Sequence, residues 1–200
     1  MKKRLTMKKI STKGITFCAI FIALTTVGAY IHIPLTLGDY YSLQLLFILL
    51  AGILLGPVYG TISTACYVLL GLLGVPVFAG GGGFGYIFNP SFGYLIGFIA
   101  GSWICGLIVS RAEKKTLKVM MVACFAALVV VYVIGLPYKY LILNYYTHTP
   151  ITWVLVLAAC FPIDLPCDII LSFLCACLSK KLYPAFMKIY QPMNVQKSVS

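Results

Sequence analysis

Acidic side chains are almost missing from this 200-residue chain: Asp39, Glu113, Asp164 and Asp168 are all there are. Charged residues of both signs reach only 10%, against 62% hydrophobic ones, whereas soluble domains carry about 25% charge. So few charges cannot coat a globule of this size, which excludes a soluble fold. Catalytic and metal-binding signatures are lacking as well. No CxxC, no HExxH and no Ser–His–Asp pattern occurs, and no GK[ST] follows the glycine-rich stretch, so a phosphate loop is excluded. The chain shows no means of hydrolysing ATP, and uphill transport would need a partner or an ion gradient. The two histidines, His32 and His148, have no neighbouring nucleophile or acid.

What is present is apolar sequence, with a mean hydropathy of +1.02. A spanning helix needs about 20 apolar residues, so the chain holds about six. The runs predict helices over 15–33, 43–55, 58–73, 92–109 and 119–136, and a sixth within 151–178. That last stretch is too long for one span and is interrupted by Pro162 and Pro166, which predicts a short lead-in segment before the helix proper. The run 15–33 is long for a signal peptide and no small-x-small cleavage site follows, so it reads as the first span. Gly56-Pro57 marks a turn, and the loop 35–41 is polar. The division is a basic segment 1–14, a membrane domain 15–180 and a basic tail 181–200.

The net charge of +11 would suggest nucleic acid in a soluble protein. Its placement argues for a bilayer instead. Lys2, Lys3, Arg4, Lys8, Lys9 and Lys13 precede the first helix. Arg111, Lys114, Lys115 and Lys118 share one loop, and Lys180, Lys181, Lys188 and Lys197 follow the last helix. Of 15 basic residues only Lys139 lies elsewhere. With both termini cytoplasmic, six spans put every basic cluster inside. The eight cysteines all fall in apolar runs and read as small helix residues rather than disulfide or metal partners.

Asp164 and Asp168 stand four apart, on one face of a helix. A carboxylate at membrane depth costs at least ~2.5 kcal/mol, so that face should look into the bundle or a polar cavity. The plain structural reading is that both cap the helix. The segment 74–93 carries Gly80-Gly81-Gly82-Gly83 and Gly85 among Phe78, Phe84, Tyr86 and Phe88, beside Asn89 and Pro90. It reads either as a simple loop or as backbone lying close over a small, partly apolar molecule. Tyr132, Tyr138, Tyr140, Tyr145 and Tyr146 read as an interfacial belt or as pocket walls. Lys139 reads as snorkelling to the outer surface or as the partner of an anionic ligand. Ala19 and Ala23 on the first helix, Gly52 and Gly56, and Gly93, Gly97 and Gly101 are small residues four apart, suited to close helix packing.

Three stretches together carry a resemblance. Ser42-Leu43-Gln44 runs into a helix ending Leu54-Leu55-Gly56-Pro57. Leu69-Leu70-Gly71-Leu72-Leu73-Gly74-Val75-Pro76-Val77-Phe78 leads into the glycines. Asn89-Pro90-Ser91-Phe92-Gly93 opens the next helix. The chain resembles the BioY family, the biotin-specific S components of energy-coupling factor (ECF) transporters, over roughly residues 15–180. The resemblance implies an all-α, six-helix membrane bundle with a biotin pocket near the outer face of a bacterial plasma membrane. It also implies an EcfT-type transmembrane partner and two ATPase subunits, with no catalysis or cofactor in this chain. Ala19 and Ala23 match the family's EcfT-contacting motif. Asn89 and Asp168 match biotin-contacting positions, and the glycines would cover the ligand. The candidate binding residues are therefore Asn89, Asp168, Gly80, Gly81, Gly82, Tyr86, Tyr138, Lys139, Gln44 and Asp164. The family commonly places a Lys three residues after the helix-6 Asp, and here Leu171 follows Asp168. Lys139 would then serve the biotin carboxylate. Competing readings are an S component for another vitamin or a biotin precursor, a membrane-embedded enzyme using Asp164 and Asp168, and a self-sufficient channel or ion-coupled carrier.

Overall fold

A computed structural model describes residues 12–34, 40–147, 149–160, 162 and 164–190. Asp39, His148, Lys197 and the basic residues before Lys13 lie outside these. Six α-helices follow in order: α1 (Thr12–Tyr30), α2 (Gln44–Leu72), α3 (Phe92–Arg111), α4 (Leu117–Leu141), α5 (Trp153–Cys160) and α6 (Asp164–Ile189). All but α5 are long and apolar enough to cross a membrane. Two short antiparallel strands, β1 (His32–Pro34) and β2 (Tyr40–Ser42), flank the expected polar loop, with His32 opposite Ser42.

The longest helix, α2, is a hairpin. Gly56 has φ 79 and ψ −179, a backbone region open essentially to glycine alone. Pro57 follows at the first position of the next helical turn, where its missing N–H is no loss. Gln44 Nε2 donates to the Tyr67 hydroxyl 23 residues away; a straight helix would hold these roughly 35 Å apart. A Cβ built on Gly60 would lie 2.9 Å from Gly52 Cα, so the two halves pack side by side. The expected turn at Gly56-Pro57 is thus present, and the halves Gln44–Leu55 and Pro57–Leu72 match the two predicted helices. Gly56→Ala should lower the stability of the purified protein by ~1–3 kcal/mol, read as its melting midpoint in detergent. Gly85→Ala, where open space surrounds the position, should leave it unchanged.

Other boundaries differ from the sequence reading. The first helix stops at Tyr30, since 32–34 pair with β2. Pro137 does not end α4: the helix runs to Leu141 and a π-helical turn continues over Ile142–Tyr146. Proline removes one backbone donor, but Tyr138 packs over Gly93 of α3 and holds the next turn in place. The sixth predicted helix is indeed preceded by a short one, α5, but α6 continues past Leu178 and through Pro184 to Ile189. Phe186 and Tyr190 clasp Phe17 at the start of α1, with ring centroids 4.8 and 5.4 Å away.

These contacts sort the molecule into two ends. Lys13 Nζ donates to the Ile189 carbonyl at 3.4 Å and Lys180 Nζ to the Lys115 carbonyl at 3.1 Å. Tyr190 also meets Tyr59, just past the α2 bend. The starts and ends bearing Lys13, Arg111, Lys114, Lys115, Lys118, Lys180, Lys181 and Lys188 therefore gather at one end. At the other lie the strands, the glycine-rich segment, the end of α4 and the α5–α6 junction. There the Tyr138 hydroxyl donates to the Ile87 carbonyl, and Phe88 stacks on Tyr146 at 4.5 Å. Between the ends, Gly97 and Gly101 of α3 meet Val131 of α4, and Gly52 meets Ser102 of α3, so these glycines pack the bundle as expected, whereas Gly56 faces open space and serves the bend instead.

Candidate binding cavity

At the end opposite the basic one, β2, α2, the glycine-rich segment, α3, α4 and α6 enclose a cavity of about 60 Å³. Aromatic rings make much of its wall: Tyr40, Tyr41, Tyr86, Tyr94, Phe98 and Tyr132. Its polar groups are Ser42, Gln44, Ser91, Asp164 and Asp168. Both carboxylates come from the first turns of α6, four residues apart, so one helix face presents them to the cavity. The expectation that this face looks into the bundle holds.

Asp168 is fixed from across the cavity. The Tyr132 hydroxyl of α4 donates to Asp168 Oδ2 at 2.8 Å. A carboxylate has about four acceptor positions, so Oδ1 and one lone pair of Oδ2 are open to further donors. Tyr41 on β2 sits against the same carboxylates. Burial, together with the negative charge of Asp168 and the neighbouring Cys167 and Asp164, holds its hydroxyl protonated far above the ordinary tyrosine range. Tyr41 therefore enters the cavity as a neutral donor.

Gln44 is held by its neighbours. The Ser42 hydroxyl donates to Gln44 Oε1 at 2.7 Å, Gln44 Nε2 donates to the Tyr67 hydroxyl, and Tyr67 donates to the Val77 carbonyl at 2.7 Å. This buried chain ties β2, both halves of α2 and the glycine-rich segment together. An amide nitrogen carries two protons, and one remains for a guest.

The glycine-rich segment is a built element. Phe78 and Gly81 exchange backbone hydrogen bonds of 2.9 and 3.1 Å, and Gly83 N donates to the Gly71 carbonyl at 2.7 Å. Phe78 is 1% exposed, its ring lying directly on Gly71, where any Cβ would overlap it. Ala79 and Tyr86 of this segment line the cavity, while Gly80 packs against Tyr40 and Tyr86 as backing. Gly81 takes φ 109, and Gly82 sits where a Cβ would be 2.3 Å from the Val75 carbonyl oxygen. Neither glycine lines the wall.

Of the other candidates, Asn89 serves the start of α3: its Oδ1 accepts from Ser91 N at 2.9 Å and Ser91 Oγ at 2.7 Å. It acts on the cavity through Ser91, whose hydroxyl meets the Tyr86 hydroxyl at 3.1 Å. Tyr138 supports the segment from outside through its bond to Ile87. Lys139 does not snorkel: it is 1% exposed, and Nζ donates to Cys160 Sγ at 3.8 Å. Cys160 in turn meets the Tyr94 hydroxyl at 3.4 Å. Ala19 and Ala23 lie exposed on the outward face of α1. The sequence reading missed Tyr40, Tyr41, Ser91 and Tyr94 as wall residues. Tyr40 and Tyr41 adjoin Ser42-Leu43-Gln44, and that adjacency was the available signal. Among the described residues, no group of His, Cys, Asp and Glu is placed to hold a metal ion.

Comparison with known proteins agrees with this architecture. A family model described as the BioY family matches residues 1–188. A probable biotin transporter BioY of Lysinibacillus sphaericus is 39% identical over 180 residues, covering 90% of this chain and 91% of that one. The biotin transporter BioY of Thermotoga maritima is 40% identical over 131 residues, 64% of this chain and 73% of that one. A solved structure, the S-component for biotin from an ECF-type ABC transporter, superposes with a TM-score of 0.66 at 26% identity, covering 88% of this chain and 98% of that one.

Proposed function

The chain belongs to the BioY family, and from that we propose that it captures biotin in the cavity beside Asp164 and Asp168. It is a multi-pass plasma-membrane protein, and its named relatives are transporters, which favours transport over a membrane-embedded enzyme. The observation that carries the biotin reading is the pair of α6 carboxylates facing aromatic walls, with Asp168 steadied by Tyr132. A ureido ring offers two N–H donors and one carbonyl acceptor. Asp168 and Asp164 suit the donors, and the Tyr41 hydroxyl or Gln44 amide suits the carbonyl. The thiophane ring and alkyl chain suit the tyrosine walls and Leu45, Leu95 and Val131.

In this reading the halves of α2 cross separately, giving six spans. The end where the basic residues gather is cytoplasmic by the positive-inside rule, so the cavity opens outward. The exposed α1 face with Ala19 and Ala23 meets an EcfT-type transmembrane partner, and two ATPase subunits of that module supply the energy for release inward. Dependence of cellular biotin uptake on those ATPase subunits tests this part, and uptake undiminished without them would remove it.

In this reading β2, held by a short strand pairing with β1 rather than by helix packing, closes over the guest. Titration calorimetry of the detergent-purified chain should show tight, one-to-one biotin binding. Biotin should also slow backbone hydrogen exchange at Tyr40–Ser42 and Phe78–Tyr86. Heat from dethiobiotin or another vitamin but none from biotin would transfer the site to that ligand.

A further inference from the structure

Lys139 is the one basic residue, among those described, at the end of the molecule where the cavity lies. It points into the protein, 1% exposed, from the last turn of α4. A cation at membrane depth costs at least ~2.5 kcal/mol even on insertion scales, and such residues usually serve a polar site. A long side chain near a helix end would ordinarily reach for the interface, and this one does not.

Its surroundings connect it to the cavity. Nζ donates to Cys160 Sγ at 3.8 Å, and that sulfur meets the Tyr94 hydroxyl at 3.4 Å. Tyr94 lines the cavity. Cys160 and Tyr94 thus link the ammonium group to the cavity wall. Along α4, Lys139 is two turns from Tyr132 on the same face, about 10 Å up the axis. Tyr132 is the residue that holds Asp168. Acceptors thus lie at one end of this strip and a cation at the other. Cys160 ends the eight-residue α5, beside an apolar cleft of about 650 Å³ between α4, α5 and α6, lined by Leu136, Trp153, Leu157 and Cys160 among others.

We infer that Lys139 is the anion subsite of the cavity: when ligand enters, the Tyr94–Cys160 contact gives way and Lys139 Nζ meets the ligand carboxylate. The inference rests on the biotin reading and deepens it. A bicyclic head with N–H donors sits by Asp168, and a flexible acid chain runs along α4 toward Lys139. The carboxylate, rather than the ring, then selects the free acid over its neutral derivatives.

The test compares biotin with biotinamide, which keeps the ring and chain but has no charge. The purified chain should prefer biotin by roughly tenfold to a hundredfold, the size of a charge-assisted hydrogen bond. Lys139→Met should bring that ratio to about one while biotinamide binds as before, and Lys139→Arg should keep a preference. An unchanged ratio in Lys139→Met overturns the inference. So does a variant that loses both ligands, because a group that meets only the carboxylate must leave the neutral ligand bound. Wild-type protein that binds neither ligand overturns the biotin reading itself.

Discussion

Asp168→Asn is expected to weaken biotin binding by about a hundredfold while leaving the melting midpoint of the protein unchanged. Asn keeps the shape and still accepts from Tyr132 through its Oδ1, so the contact across the cavity, 2.8 Å in the wild type, can re-form. Its NH2 group then faces the guest, presenting donors to the N–H donors of a ureido ring. A charge-assisted bond worth ~1.5–3 kcal/mol is lost and a donor–donor repulsion takes its place. The substitution also separates the two readings of this residue. Asn caps helices as well as Asp, so a purely structural Asp168 would give the variant normal affinity. Tyr132→Phe removes only the group that steadies Asp168, and a loss of about fivefold is expected. The double variant should lose little more than Asp168→Asn alone, since the two residues act on one contact. Calorimetric titrations of the three variants decide this, and additive losses would mean that Tyr132 contacts the ligand by itself.

The long apolar helices were legible because lipid enforces long apolar runs, and the glycine at the α2 bend was legible because Gly-Pro has few other uses. The carboxylate pair was legible for a related reason: charge at membrane depth is too costly to be incidental. What stayed hidden were roles set by contacts between distant segments. Asn89 reads as a polar ligand-binding residue, yet its side chain is directed to Ser91, a two-residue reach that composition does not reveal. Tyr132 was one of five tyrosines near one helix end, and only the approach of α6 marks it as the partner of Asp168. Tyr94 lies in an apolar helix with no local cue; its place on the wall follows from the packing of α3 against Gly135 of α4. Pro137 misled because its backbone effect is local, while the turn that follows is held by α3.

The second large effect falls on residues that never touch the cavity. At Gly97 an added Cβ would lie 2.9 Å from Val131 Cα and 3.0 Å from its carbonyl oxygen, both backbone atoms of α4. Nothing there can rotate away, so any side chain must push the two helices apart. Small residues at such crossings are what allow close approach in lipid, where the hydrophobic effect does not hold helices together. Val131 and the adjacent Tyr132 both line the cavity, so displacement of α4 also moves the hydroxyl that steadies Asp168. Gly97→Leu should therefore lower the melting midpoint in detergent, with a cost of ~1–3 kcal/mol or more, and abolish measurable biotin binding. Gly101→Ala should be milder, because its Cβ would meet the Val131 side chain at 3.1 Å, where a methyl group can shift, and the nearest backbone atom, the Ala127 carbonyl oxygen, only at 3.3 Å. The order expected in both assays is Gly101→Ala least, Gly97→Ala next and Gly97→Leu most. A Gly97→Leu chain with wild-type melting and wild-type affinity would show that α3 and α4 do not cross as closely as this, and that the position of Tyr132 is set by something other than their contact.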